Sequence, residues 1–473
     1  MGVLWKPLVI SILVGAALYG VFLLIFKRGP KAGAIASLVS VAFFYYGIYL
    51  DKVSWSEGLF MAIWLALFGV AIFLVARTRR QLWNLTLILT VYAVVQVLVP
   101  AIKVASYQAN HPAISTSDSR LWTGDVLPSP PAQPSNAQLP DIYVIIPDDY
   151  ARGDLLQKYW GYDNSRFYDQ LKQRGFLISN NSRAPYSDSE LNIASALNMG
   201  YMDGMPRILG RTSEDVRGVR RLISDSRARK LLESIGYDYV QLDTDEVTWP
   251  AGNPDISFVA TPDSFGTLWM EQTVLGSVGG SLGFNPDSTD ERFRGAIKSV
   301  FSKLEAVPDQ PGPKFVVFHT LLPHEPYIFG ANGQDVTNPD KSEEGQNSDL
   351  GMKLYLGQLR GISQMLLDAV DAIQSKSETP PVIVIQADEG FEGNPDLIGE
   401  RTMQDIRIKG LLALSLPGAG TTKVPKPPNV VNTLRFVMNE YFGTHYPMLD
   451  TVSYPEGDLP YQFEAMPVRG VAK

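Results

Sequence analysis

Two apolar stretches of this chain each run directly into a pair of carboxylates. Residues 141–147, Asp-Ile-Tyr-Val-Ile-Ile-Pro, lead into Asp148 and Asp149; residues 381–387, Pro-Val-Ile-Val-Ile-Gln-Ala, lead into Asp388 and Glu389, with Gly390 next. Carboxylates brought so close together repel unless a cation neutralises them, so the two pairs predict half of a metal site. A third segment, Tyr-Ser-Asp-Ser-Glu-Leu-Asn-Ile-Ala-Ser over 186–195, sets several hydroxyls at a predicted helix start. Ser189, followed by Glu190 and Asn192, reads there as a plain N-cap. It also reads as a nucleophile, deprotonated with the help of a metal ion or base while the helix N-terminus holds an anionic substrate. Of the four histidines, His319 and His324 fall within one short segment. His324, between Pro323 and Pro326 in a stiff loop, is the better functional candidate. His319, at the end of a predicted strand, reads as a hydrogen-bonded core residue or as a catalytic one.

The elements that must position these groups are also legible. Both runs that end in carboxylates are β-branched, of strand length and without polar alternation, the pattern of strands buried on both faces of a parallel sheet. In open α/β sheets ligands bind at the carboxyl ends of the strands. Helical spacing covers 152–160, 165–174 and 189–198, with a short strand expected at 176–179. A helix at 228–235 passes through Gly236 into a strand at 237–242, and a helix at 292–304 precedes a strand at 314–319. A long helix at 350–373 feeds the strand at 382–386; a strand at 411–416 and a helix at 431–442 close the chain. This alternation predicts an α/β fold with a mostly parallel sheet flanked by helices. Residues 244–290 are rich in Gly, Pro, Ser and Asp and support no assignment.

The N-terminal part is of another kind. Four uncharged apolar runs, 8–26, 32–50, 58–76 and 82–102, are each long enough to cross the ~30 Å hydrocarbon core at 1.5 Å per residue. They have no polar face, and one cleaved signal peptide would not account for four of them. Four transmembrane helices are expected. Lys27, Arg28 and Lys31 follow the first run, and Arg77, Arg79 and Arg80 the third. Basic loops stay cytoplasmic, so the chain after residue 102 is expected outside, although Lys6 and Lys103 then lie on the outer side. The expected organisation is four membrane helices in 1–103, a Pro/Ser-rich linker in 104–140 with its proline run at 127–134, and an extracytoplasmic domain in 141–473. The chain contains no cysteine, which excludes disulfides, thiolate nucleophiles and cysteine-held metals. A net charge of −8 offers nucleic acid no electrostatic partner.

Several segments, in order, carry a resemblance. Pro-Asp-Ile-Tyr-Val-Ile-Ile-Pro-Asp-Asp-Tyr-Ala-Arg (140–152), Gly-Tyr-Asp-Asn (161–164), Arg-Gly-Phe (174–176), Tyr-Ser at 186–187 through Leu-Asn-Met at 197–199, His-Thr-Leu-Leu-Pro-His-Glu-Pro-Tyr (319–327), Gln-Ala-Asp-Glu-Gly (386–390) and Val-Asn-Thr-Leu-Arg (431–435) resemble membrane-anchored sulfatase-like proteins. These belong to the alkaline phosphatase superfamily, alongside lipoteichoic acid synthases and phosphoethanolamine transferases. The likeness spans nearly all of 141–455. It implies Asp148 as a first-strand metal ligand and Ser189 as the nucleophile that also touches the metal. It further implies His324 as a contact for phosphate, sulfate or a second metal, and Asp388 as the first member of the family's Asp-His-Gly metal pair.

This chain departs from that pattern at two places. Glu389 stands where histidine is usual, and Asp149 where glycine is frequent. Replacing imidazole by carboxylate hardens the site, favouring Mn²⁺, Mg²⁺ or Ca²⁺ over Zn²⁺. The Ser189-Glu-Leu-Asn-Ile segment lacks the motif for conversion to formylglycine, which argues against a true sulfatase. Asp149 reads as a ligand or as a cap on the turn toward Arg152, and Glu389 as a ligand or a solvated loop residue. The expectation is a metal-dependent phosphoryl or sulfuryl ester hydrolase or transferase, acting outside the cytoplasm on a lipid-linked or envelope-polymer substrate at the membrane lipid. The alternative is an inactive sulfatase-like envelope protein that binds a glycan, lipid or protein partner.

Overall fold

The chain is described by a computed structural model over residues 5–110 (without 51, 54, 80 and 81), 114, 118, 120–122, 139–244, 254–259, 272–279, 289–336, 348–391, 399–419, 429–454 and 459–463. It divides into two units, Met1–Pro112 with Pro262–Arg292, and Ala113–Thr261 with Phe293–Lys473. The proline run at 127–134 lies outside the described residues.

In the first unit, three helices are long and apolar enough to cross a membrane: Val9–Phe26, Glu57–Arg77 and Trp83–Ala109. The expected count was four, and the second run is where the difference lies. It is broken at Tyr45 into a helix of 16 residues, Gly29–Phe44, and a short turn of helix, Tyr46–Leu50. Sixteen residues reach only about 24 Å at 1.5 Å per residue, short of the hydrocarbon core. Ala32, Ala34, Ile35 and Ala36 of that helix are buried, and the three alanines are small enough to let neighbouring backbones approach. Where the run breaks, Tyr46, Phe60 and Trp64 form a buried aromatic cluster, and Trp64 Nε1 donates to the Ala42 carbonyl at 2.9 Å. The last helix continues to Asn110.

The second unit is built on a seven-stranded sheet. Its strands are β1 (Ile142–Asp148), β2 (Leu177–Ile178), β3 (Asp238–Asp243), β4 (Ile256–Val259), β5 (Lys314–Pro323), β6 (Val382–Gln386) and β7 (Leu412–Ser415), in the spatial order β2-β7-β6-β1-β5-β3-β4. The run from β6 through β4 is parallel, as the continuous apolar segments predict. β7 is antiparallel to both of its neighbours, so the sheet is mixed. β4, in the unassigned stretch, extends the parallel edge.

Successive side chains of a strand face opposite layers, and the two cores follow that parity. Tyr143, Ile145, Val316, Phe318, Ile383 and Ile385 enter one core together with the long helix Asp349–Lys376. Ile142, Val144, Ile146, Phe315, Val317, Val382 and Val384 enter the other, where Leu191, Ala194 and Leu197 of the helix Ser189–Asn198 cover them. His319 of β5 and Asp243 of β3 continue the parity of this second layer, and Asp148, just past a register irregularity after Pro147, reaches the same side by its contact with Ser189. The sheet therefore delivers them to the side on which the Ser189 helix lies.

Candidate active site

The helix Ser189–Asn198 begins as its sequence predicts, but the cap is Asp188, whose carboxylate accepts from Leu191 N at 2.8 Å. Asp188 takes over capping, and the Ser189 hydroxyl is turned to other partners. Its Oγ lies 3.5 Å from Asp148 Oδ1 and 3.5 Å from Glu389 Oε1. The serine is half-buried, while Asp148, Asp149, Asp388 and Glu389 are all buried. Of the two readings of Ser189, the plain N-cap therefore belongs to its neighbour.

Two overlapping groups of side chains offer ligand atoms within 4.8 Å of one another: Asp148 with His319 and Asp388, and Asp148 with Asp149 and Glu389. Asp148 is common to both. Burial, then the charges of Asp388, Asp149 and Glu389, push its carboxyl well above the usual carboxylate range. Asp388 Oδ1 accepts from Glu389 N at 2.8 Å, while its buried Oδ2 finds no hydrogen-bond partner among the described residues. A buried carboxylate oxygen left over in a cluster of carboxylates is what a cation would satisfy. The donor set fits a divalent ion on chemistry and on proximity.

The second carboxylate pair is placed by a tight crossing. Gly390 N donates to the Arg407 carbonyl at 2.5 Å, and a Cβ on Gly390 would press on the Ile406 and Lys409 carbonyls. A Cβ on Gly410 would meet the Glu389 carbonyl at 2.6 Å. Only glycine permits that approach. Glu389 is thereby held inward, with Arg407 Nε 3.3 Å from its Oε2, and it is no solvated loop residue. Asp149, at φ 60°, is in the left-handed region, and its carbonyl accepts from the Tyr355 hydroxyl at 2.8 Å.

His319 is fully buried, its Nδ1 3.2 Å from Asp243 Oδ1 and its Nε2 4.0 Å from Asp148 Oδ2. His324 belongs to neither metal-capable group. Its Nδ1 donates to the Glu325 carbonyl at 2.8 Å, which leaves Nε2 as the ring atom able to accept or coordinate in the neutral form. Its loop is held by Gln358, whose Nε2 donates to the carbonyls of Pro323, His324 and Pro326 while its Oε1 accepts from Ile328 N and Phe329 N. Arg152 points elsewhere: it pairs with Asp154 at 2.6 Å and donates to the Ser182 carbonyl at 2.9 Å.

Sequence reasoning missed Asp243, Gln358 and Arg407. Asp243 had a signal, since the predicted strand at 237–242 stops one residue short of a carboxylate, as the apolar runs 141–147 and 381–387 do. Gln358, inside a long amphipathic helix, gave none.

No family model matches the chain, and no curated protein matches it. Among solved structures, the chain is similar to the C-terminal periplasmic domain of EcEptC from Escherichia coli in complex with Zn, at 12% identity over 68% of this chain and 87% of that one, TM-score 0.45. It is also similar to a 2-O GAG sulfatase, at 14% identity over 68% and 79%, TM-score 0.43. The soluble domain of lipooligosaccharide phosphoethanolamine transferase A from Neisseria meningitidis is matched at 9% identity over 60% and 78%, TM-score 0.36. The solved structures to which this chain is similar thus include phosphoethanolamine transferases and sulfatases.

Proposed function

We propose that this chain is a membrane-anchored enzyme that transfers a phosphoryl or sulfuryl group through Ser189, outside the cytoplasm. The observation that carries the reading is the Ser189 hydroxyl poised within 3.5 Å of two carboxylates from different strand ends, Asp148 and Glu389, at the start of a helix. In this reading Asp148, Asp388 and Glu389, with Asp149 and His319 beside them, hold a divalent cation. The carboxylate-rich donor set favours Mn²⁺, Mg²⁺ or Ca²⁺. When bound, that cation withdraws charge from the transferred group and lowers the pKa of the serine hydroxyl.

The chain's own residues do the rest. Asp148 or Glu389 accepts the hydroxyl proton as Ser189 Oγ forms its bond to phosphorus or sulfur; the bond to the leaving group breaks, and the departing alkoxide takes up a proton from water to leave as the alcohol. The helix N-terminus faces the anionic group, and His324, in the loop that Gln358 braces, contacts its oxygens. Water or an acceptor alcohol then attacks the seryl ester and releases Ser189. The apolar helices of the first unit hold the domain at the bilayer, which suits a lipid-linked or envelope-polymer substrate. The domain after the membrane helices and the linker that joins it are the parts assigned to the outer side.

The test is turnover of an aryl phosphodiester and an aryl sulfate by the full chain in detergent, with and without Mn²⁺. Metal-dependent turnover and a covalent adduct on Ser189 are expected, both lost in Ser189→Ala. Turnover that Ser189→Ala leaves unchanged would sink the proposal.

A further inference from the structure

The buried pair Asp243–His319 adjoins the carboxylate cluster; the mechanism above sets His319 beside the cation without a stated bond to it and gives Asp243 no task. Both side chains have no solvent exposure. They lie opposite one another across the β3–β5 register, so two rigid strands hold the geometry. A carboxylate can only accept, so the 3.2 Å contact makes His319 Nδ1 the protonated nitrogen. In the neutral ring that leaves the Nε2 lone pair on the side of Asp148, whose Oδ2 is 4.0 Å away. At 4.0 Å the two atoms are too far apart for a direct hydrogen bond. They also belong to a group whose ligand atoms lie within 4.8 Å of one another, completed by Asp388. Asp388 Oδ2, with no hydrogen-bond partner among the described residues, is a second, independent sign of a missing positive group there.

Resting on the metal-dependent reading above, we propose that His319 is the nitrogen ligand of the cation and that Asp243 is the positioning residue that orients it. The imidazole that the residue after Asp388 does not supply is thus provided from within β5, which lies across β1 from β6. A histidine ligand whose other nitrogen donates to a carboxylate is fixed in tautomer and strengthened as a donor. The consequence is a mixed oxygen and nitrogen site. Carboxylates suit Mg²⁺, Ca²⁺ and Mn²⁺, and imidazole suits the transition ions; Mn²⁺ satisfies both, which sets it ahead of Ca²⁺ and Mg²⁺.

The test uses the full chain in detergent with Mn²⁺ as the probe, read by pulsed electron paramagnetic resonance for ¹⁴N coupling and by binding titration. Wild type is expected to show one coupled imidazole nitrogen, which His319→Gln removes. Asp243→Asn is expected to weaken Mn²⁺ binding about 10- to 100-fold, and Asp243→Glu to restore part of it. The wild-type spectrum decides even if a variant fails to fold. Mn²⁺ bound by oxygen alone would overturn the assignment, leaving His319 as an imidazolium clamped between two aspartates, while Ser189-dependent turnover would still stand. No Mn²⁺ binding would overturn both. Nitrogen coupling without Ser189-dependent turnover would uphold the ligand and remove the proposed reaction.

Discussion

The carboxylate cluster should make stability depend on pH, and on a divalent ion if it binds one as proposed, in a predictable direction. Asp148, Asp149 and Glu389 present oxygens within 4.8 Å of one another. At an effective dielectric near 20, each such pair costs about 3.5 kcal/mol when ionised, and three pairs about 10 kcal/mol. That rivals the whole stability of an ordinary domain, about 5–15 kcal/mol, so without a cation the cluster keeps protons. Asp148 is accordingly held above the usual carboxylate range by burial and by Asp388, Asp149 and Glu389. Its folded form binds more protons than its unfolded form just above the ordinary aspartate range. Stability is therefore fullest below the unfolded pKa and is lost as pH rises through the folded one. A cation reverses the slope, because it takes the place of the protons and binds more tightly as they leave. At a hundredfold excess over its Kd it adds about 2.7 kcal/mol, or about 4 °C in unfolding midpoint for a unit of this size. The assay is thermal unfolding of the full chain, followed by tryptophan fluorescence between about pH 5 and 8, in chelator and in Mn²⁺. The chelated midpoint should fall as pH rises, and the gap to the Mn²⁺ curve should widen. A chelated midpoint that stays flat, with no response to Mn²⁺, would refute the reasoning.

Other expectations test single contacts. Glu389→Gln removes the charge of a proposed ligand beside Ser189 and Arg407; Mn²⁺ affinity by calorimetry should drop on the order of tenfold or more, ~1.4 kcal/mol per decade. Gln358→Leu leaves five backbone groups of the His324 loop without their shared partner and should cost roughly 3 kcal/mol in urea unfolding. A loss under about 0.5 kcal/mol, the range of ordinary surface substitutions, would mean the loop is held by something else. Gly390→Ala forces a methyl against the Ile406 and Lys409 carbonyls; a destabilisation of about 1–3 kcal/mol and weaker Mn²⁺ binding are expected together, and a silent substitution would show that the crossing is looser than described.

What could be read from the sequence was local. The β-branched runs before Asp148 and Asp388 formed parallel strands, since an uninterrupted apolar segment of strand length has to be buried on both faces. The helix at 189–198 and the long helix around 350–373 likewise followed from spacing and polar boundary residues. Apolarity alone did not reveal that the second apolar run breaks at Tyr45, where Tyr46 packs with Phe60 and Trp64, residues distant in the chain. Nor did it reveal that β7 runs antiparallel, since a short apolar strand reads the same in either direction. The carboxylate pairs, Ser189 and the histidines were visible as residue types. Their meeting was not, because residues 148, 189, 243, 319 and 388 are far apart along the chain and are brought together by strand order and side-chain parity. Sequence determined which groups were available for chemistry. Tertiary structure decided that Asp188 caps the helix in place of Ser189, that Glu389 is turned inward by the crossing at Gly390, and that a histidine from β5 stands beside the cluster.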